Sequence, residues 1–334
     1  MEVCLMVEGQ EGETWPDWVA IAEAVEASGL DGLFRSDHYL SMNGPGANAM
    51  DAWAILSALA ARTTRIRLGT MVSPATFRHP SVLANMASTV DHISDGRVEL
   101  GLGAGWYEAE HRAFGFDFPS AATRLTVLEE QAEIIHRQWT EDDVSFSGRH
   151  FALEHCTARP KPVQQPPPMI IGGSGKRRTV AVAVRFGAEY NASVFSTEQC
   201  AQLRSVLDRE CERQGRDPAS LRFSAFVQNA VIGTSSADVA SRMARVQREL
   251  DHGTGGLLAE PVGRWFTATT AEAVERLSEW AAAGAHRVLL QHQLWSDLDT
   301  IALIGEEILP RVRGLLPYCP ACAACDLTAR AHGL

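Results

Sequence analysis

A (β/α)8 TIM barrel is the fold this sequence predicts, and three observations lead to it. Eight strand-like runs alternate with amphipathic helix-like runs along 334 residues, the pattern of parallel strands joined by crossover helices. Several helix-like runs end on glycine just before the next strand, as at Ala27-Ser28-Gly29 and Ala282-Ala283-Gly284, where a left-handed residue closes a helix. A chain of this length, 46% hydrophobic, can bury one large core. An open, doubly wound sheet is the alternative reading of the same alternation.

Taken in order, the strands are expected at Glu2–Val7, Leu30–Arg35, Ile66–Val72, Val98–Gly103, Met169–Gly172, Glu189–Ser193, Arg222–Ile232 and Arg287–Gln291. The helices between them are expected at Trp15–Ala27, Ala49–Arg62, Pro80–Ile93, Ala122–Trp139, Lys176–Phe186, Thr197–Gln214, Ser236–Leu250, Ala271–Ala283 and Leu298–Arg313. Asp142–Pro168 interrupts the repeat between strands 4 and 5 with Phe146, Phe151 and PKPVQQPPP. It reads as an insertion: a short hairpin, then an extended proline segment. Residues 1–314 form one domain, and 315–334 read as a flexible, cysteine-containing tail.

Composition narrows the partners. A formal net charge of −11 argues against nucleic acid, which draws on clustered Lys and Arg. The short basic cluster Lys176-Arg177-Arg178 suits a small phosphate better. The N-terminal MEVCLMVEGQ has no basic leader, and no stretch reaches the ~20 apolar residues of a membrane span. A cytoplasmic home is expected, and the scattered Cys4, Cys156, Cys200 and Cys211 suit a reducing compartment. Cys319, Cys322 and Cys325 have C-x2-C-x2-C spacing, which is either a metal half-site or part of a frayed tail. A closed thiolate site needs a fourth ligand, for which His332 is the nearest candidate, and no metal is expected.

Chemistry is sought at the C-terminal strand ends, where barrels place it. After strand two, Asp37-His38 could hold a proton donor or acceptor, or could cap a turn and pack. After strand three, Met71-Val72-Ser73-Pro74 could present backbone to a planar ring, while Arg78, His79 and Pro80 suit the start of a helix. Strand four closes on Gly101-Leu102-Gly103-Ala104-Gly105-Trp106, whose third glycine falls at the wrong offset for a dinucleotide fingerprint. Its glycines let a ring lie against backbone, and Trp106 supplies an aromatic wall or core packing. Gly172-Gly173-Ser174-Gly175-Lys176-Arg177 combines small residues, a helix N-terminus and cations, as an anion site requires. No HExxH, GxSxG or Walker spacing is present, which weighs against hydrolases and metalloenzymes.

Together, Ser36-Asp37-His38, LGTMVSPATFRHP, DGRVELGLGAGWYEAEHRAFG and IIGGSGKRRT resemble the luciferase-like monooxygenase superfamily, most of all its coenzyme F420-dependent oxidoreductase branch. The resemblance covers residues 1 to about 313. It implies a TIM barrel holding the deazaflavin F420, or alternatively FMN, with a small-molecule substrate. His38 matches a proton donor or base, and Asp37 an aspartate beside the ring. Met71, Val72 and Ser73 match a strand-three bulge behind the ring, often with a non-prolyl cis peptide. Gly103, Ala104, Gly105 and Trp106 match the ring edge, and Gly172 through Arg177 the phosphate loop. Trp106 stands where sugar-phosphate dehydrogenases of this branch carry a glutamate, which favours a larger or more apolar substrate. Trp265 and Phe266, in the long segment Asp251–Thr269, are candidate substrate walls, and Glu8 and His292 are further candidate substrate residues.

The resemblance thus implies hydride transfer, with reduction of the substrate preferred and a separate reductase supplying reduced cofactor, in a homodimer. An FMN-dependent two-component monooxygenase and a non-catalytic flavin-binding barrel are the competing expectations.

Overall fold

The structure, a computed structural model, describes residues 1–44, 46–250 and 264–315. Eight parallel strands form the barrel: β1 (Glu2–Val7), β2 (Gly32–Arg35), β3 (Arg67–Thr70), β4 (Val98–Gly103), β5 (Met169–Gly172), β6 (Glu189–Ser193), β7 (Arg222–Val227) and β8 (Arg287–Gln291). Each pairs with its successor, and β1 pairs with β8. The sheet is therefore closed, not open, and the expected TIM barrel is the observed fold. Around it lie α1 (Trp15–Ser28), α2 (Ala52–Arg62), α3 (Pro80–Ser94), α4 (Glu108–Phe114), α5 (Ala121–Thr140), α6 (Arg177–Phe186), α7 (Thr197–Gln214), α8 (Ser236–Leu250) and α9 (Thr270–Ala282). A last helical run starts at Leu298–Leu303 and ends at Leu309–Val312.

Alternation along β1 shows how the barrel fills. Val3, Leu5 and Val7 join the large apolar layer between strands and helices. Cys4 and Met6 instead belong to a smaller cluster with Phe34, Met71, Ile170 and Leu289. Period-two geometry explains the split, since neighbouring side chains leave opposite faces of the strand. The strand starts carry charge: Arg287, Glu99 and Glu189 are all buried. Arg287 donates to both Glu99 oxygens at 2.6 and 3.0 Å and to Glu2 at 2.8 Å. An ionic plug thus closes one end and leaves the other end for chemistry.

Three boundaries depart from expectation. Strand three stops at Thr70, and Ser73–Pro74 forms a separate short strand on β4 after a cis Met71–Val72 peptide. The long seventh strand breaks at Asn229, whose φ of 51° is left-handed. Ala230–Gly233 then leaves the barrel and pairs in parallel with Phe266–Thr269. Asparagine tolerates that conformation, which an apolar pattern cannot reveal. Helix α2 begins at Ala52 because the Asp51 carboxylate accepts from the Ala54 N–H at 2.9 Å. The insertion contains the expected hairpin, Val144–Ser147 against Ala152–Cys156.

Candidate active site

A cavity of about 530 Å³ opens at the C-terminal strand ends. Its lining includes His38, Met71, Val72, Gly103, Ala104, Gly105, Trp106, Gly172, Gly173, Ser174 and Lys176. These come from the loops after β2, β3, β4 and β5, so four distant segments meet only on folding. A Cβ on Gly103 would lie 2.7 Å from Val72 Cγ2, and one on Gly172 3.0 Å from Val72 Cγ1. Bare backbone at both strand ends is therefore what lets Val72 seat between them.

The loop after β5 is shaped by Tyr190. Its hydroxyl accepts from the Gly175 N–H at 2.7 Å and would lie 2.6 Å from a Cβ on Gly173. Gly175 has φ +76°, a left-handed turn that suits glycine. Lys176 is the N-cap of α6, so the first-turn N–H groups follow it directly. Its ammonium lacks a hydrogen-bond or ion-pair partner among the described residues. Arg178 is instead committed to Glu129 on α5, with two hydrogen bonds of 2.8 Å. Gly175 and Arg177 do not line the cavity, and Arg177 is exposed.

His38 lines the same cavity and is 9% exposed. Its Nδ1 lies 2.8 Å from Oε2 of Glu110, a fully buried carboxylate on α4. The other oxygen of Glu110 accepts the backbone N–H groups of Tyr39 and of Leu40, the latter at 3.1 Å. Burial alone would depress the His38 pKa. The Glu110 carboxylate, aided by Glu8 and Asp37, outweighs it and holds the pKa above the ordinary imidazole value. Trp106, 63% exposed, stacks on Tyr107 at 5.3 Å and meets the His38 ring edge-on at 5.8 Å. Arg124 donates to the Gly105 carbonyl at 3.2 Å and steadies that loop.

Other expected residues lie elsewhere. Asp37 and Ser73 do not line the cavity. Ser73 Oγ donates to Asp37 at 2.6 Å and accepts from Trp53 Nε1 at 3.1 Å. Arg78 clasps both Asp37 oxygens and also reaches Tyr39 and Asp51. A carboxylate 1% exposed needs such a cation to offset the cost of its burial. Glu8, at the β1 end, accepts from Gln291 at 2.6 Å and Gln10 at 3.0 Å. Trp265 and Phe266 line a separate cavity of about 240 Å³ with Trp280. His292 is buried near Arg242 and Asp297, where burial pushes its pKa down to about 4. None of these last three reaches the His38 cavity. Residues 251–263 and the cysteines of the tail lie outside the described residues.

Glu110 is the residue that sequence reasoning missed. Its signal was present: two acids, Glu108 and Glu110, open a helix directly after a strand end. Only the helix orientation separates them, since Glu108 is exposed and paired with Arg112 at 2.8 Å. Among the described residues no His/Cys/Asp/Glu cluster could hold a metal, and no helix is long and apolar enough to cross a membrane.

A family model described as luciferase-like monooxygenase matches residues 3–306. An F420-dependent glucose-6-phosphate dehydrogenase from Amycolatopsis mediterranei is 28% identical over 325 residues, covering 90% of this chain and 95% of that protein. An F420-dependent secondary alcohol dehydrogenase, solved with an F420-acetone adduct, superposes with a TM-score of 0.79 at 19% identity, covering 93% of this chain and 99% of that one. A monooxygenase from Streptomyces bottropensis superposes with a TM-score of 0.78 at 20% identity and the same coverages. At such identities the two structures speak for the fold alone.

Proposed function

The chain belongs to the luciferase-like monooxygenase family, and from that premise we propose that it is a coenzyme F420-dependent oxidoreductase acting on a small organic substrate. The observation that carries this reading is one cavity bounded by bare strand-end backbone, an acid–base histidine and a cation-capped helix N-terminus. Bare backbone at Gly103 and Gly172, with Val72 seated against both, supports a flat ring lying against this part of the cavity. Val72, Gly103, Ala104 and Gly105 would hold the ring, while Ser174, Lys176 and the α6 amides would take its phosphate. The full-length likeness to an F420-dependent dehydrogenase favours the deazaflavin over FMN.

When bound, the deazaflavin supplies two-electron hydride chemistry. The chain's own share is to seat, shield and protonate. Val72 and the β4 and β5 ends would hold the ring and exclude water from it. His38 Nε2 faces the substrate as proton donor in reduction, or as base in oxidation. Trp106 offers an apolar wall beside it, which supports a substrate less polar than a sugar phosphate.

The finer expectations belong to the same proposal. Apolar groups left on the outside of α3, Val82 (53% exposed) and Ile93 (44%), support a homodimer through that face. A reducing cytoplasmic setting accords with the free thiols at Cys4, Cys156, Cys200 and Cys211, and a separate enzyme would return the reduced cofactor.

Titrating the purified protein with F420 and, separately, with FMN tests the reading by the fluorescence of each. Micromolar binding of F420 with FMN ignored is the expected outcome. Preference for FMN would replace hydride transfer with oxygen chemistry, and binding of neither would remove the reading.

A further inference from the structure

We propose that Glu110 is a positioning residue that locks His38 into one tautomer, with the proton on Nδ1 and Nε2 turned to the cavity. This deepens the reading above and rests on it only for naming the reaction. Geometry supplies the argument. A carboxylate accepts and cannot donate, so the 2.8 Å contact between Glu110 Oε2 and His38 Nδ1 requires a proton on Nδ1. The carboxylate cannot turn away, because its other oxygen is held by the backbone N–H groups of Tyr39 and Leu40. Both groups are buried, Glu110 fully, so water does not compete for the pair. Nε2 has no hydrogen-bond partner among the described residues, and the ring lines the cavity.

Charged and titratable groups face His38 from every side. Glu110 comes from α4, Glu8 from the β1 end and Asp37 from its own loop, with the charge of Asp37 answered by Arg78. Tyr107 is edge-on to the ring, and Arg124 and Lys176 line the same cavity. Among the described residues, Glu110 alone hydrogen-bonds the imidazole.

The consequence is directional. Protonated, His38 offers its Nε2 proton to a substrate; neutral, it offers a bare Nε2 lone pair. In reduction, His38 would give its Nε2 proton to one end of an unsaturated bond whose other end would take the hydride that the bound cofactor would supply. The π bond breaks, two new bonds to hydrogen form, and neutral imidazole regains its proton from solvent. Glu110→Gln would invert the hydrogen bond, since an amide whose oxygen keeps the two backbone N–H groups must donate to Nδ1. The neutral ring would then carry its proton on Nε2 and could not act as base. Misplacing the tautomer while keeping the geometry is the known way to disable such a histidine.

Long-range ¹H–¹⁵N correlation spectra of the full-length protein, labelled at histidine and free of cofactor, read the tautomer directly, with His38→Asn assigning the signal. In wild type the neutral form should carry its proton on Nδ1. In Glu110→Gln the proton should move to Nε2, and the titration midpoint should fall by about one pH unit or more. A wild-type spectrum with the proton on Nε2 overturns the proposal even if the variant fails to fold. An unchanged tautomer and midpoint in a folded Glu110→Gln protein overturns it as well. Failure of F420 to bind the wild type would sink the oxidoreductase reading while leaving these spectra as they are.

Discussion

Replacing Glu99 by glutamine should destabilise the barrel far more than the same change at Glu189, though both carboxylates are buried beside Arg287. Glu99 receives two hydrogen bonds from Arg287 and one from Arg67. Without its charge, Arg287, 1% exposed, keeps Glu2 at 2.8 Å and Glu189 at 3.5 Å. Removing one partner of a buried pair costs ~3–5 kcal/mol. The two remaining carboxylates place Glu99→Gln near the lower end, about 3 kcal/mol. Glu189 differs: its Oε1 is buried with no hydrogen-bond partner among the described residues. Burial raises its pKa, and repulsion from Glu99 adds to this against the pull of Arg287. Neutralising it therefore removes a penalty as well as an attraction, and the cost should stay below about 1 kcal/mol.

The pH dependence carries the same logic. Burial opposes ionisation of Glu99, but Arg287 and Arg67 win and hold its pKa at about 2. A depressed carboxylate stabilises the fold fully above the unfolded pKa, and loses that contribution as pH falls through the folded value. The gap between wild type and Glu99→Gln should thus be complete at pH 7 and narrow on acidification. Urea unfolding followed by far-ultraviolet circular dichroism at pH 7 and pH 3 measures both effects. Equal losses for the two variants, or a gap that widens in acid, would refute the account of the plug.

Three more outcomes follow from the site. Gly103→Ala should push Val72 off its seat, weakening F420 binding by roughly tenfold in a fluorescence titration while the urea midpoint moves little. Lys176→Ala should cost about three- to tenfold in the same titration, and its affinity should depend less steeply on salt than that of wild type. Asp37→Asn should act on folding, lowering stability by ~3 kcal/mol because it strips Arg78 of its buried partner. The affinity of the folded variant for cofactor should remain unchanged in that case, whereas a direct ring contact by Asp37 would show as a loss of affinity.

Much of the site was legible because its parts are local. His38 lies shortly after β2, and Gly103–Trp106 and Gly172–Ser174 begin on the last residues of β4 and β5, the strand ends where barrels place their chemistry. Asp37 was visible as a residue but not as a partner of Arg78, 41 positions on. Trp265, Phe266 and His292 looked like candidates because their types suit substrate walls. The places of Trp265 and Phe266 were decided by where the seventh strand breaks, at a left-handed Asn229 after which Ala230–Gly233 pairs with Phe266–Thr269, whereas His292 follows the end of β8.

From the sequence alone came the barrel, its insertion and the order of its functional loops, because period-two and period-3.6 patterns and glycine punctuation are short-range signals. The tertiary structure decided which of two neighbouring glutamates on α4 turns inward, and that Glu110 meets His38 across 72 residues of chain. It also decided that Glu99 and Arg287, 188 residues apart, neutralise one another in the barrel's base. Such pairings depend on strand register and helix orientation around a closed barrel. Their energies arise only once water has been excluded from both partners.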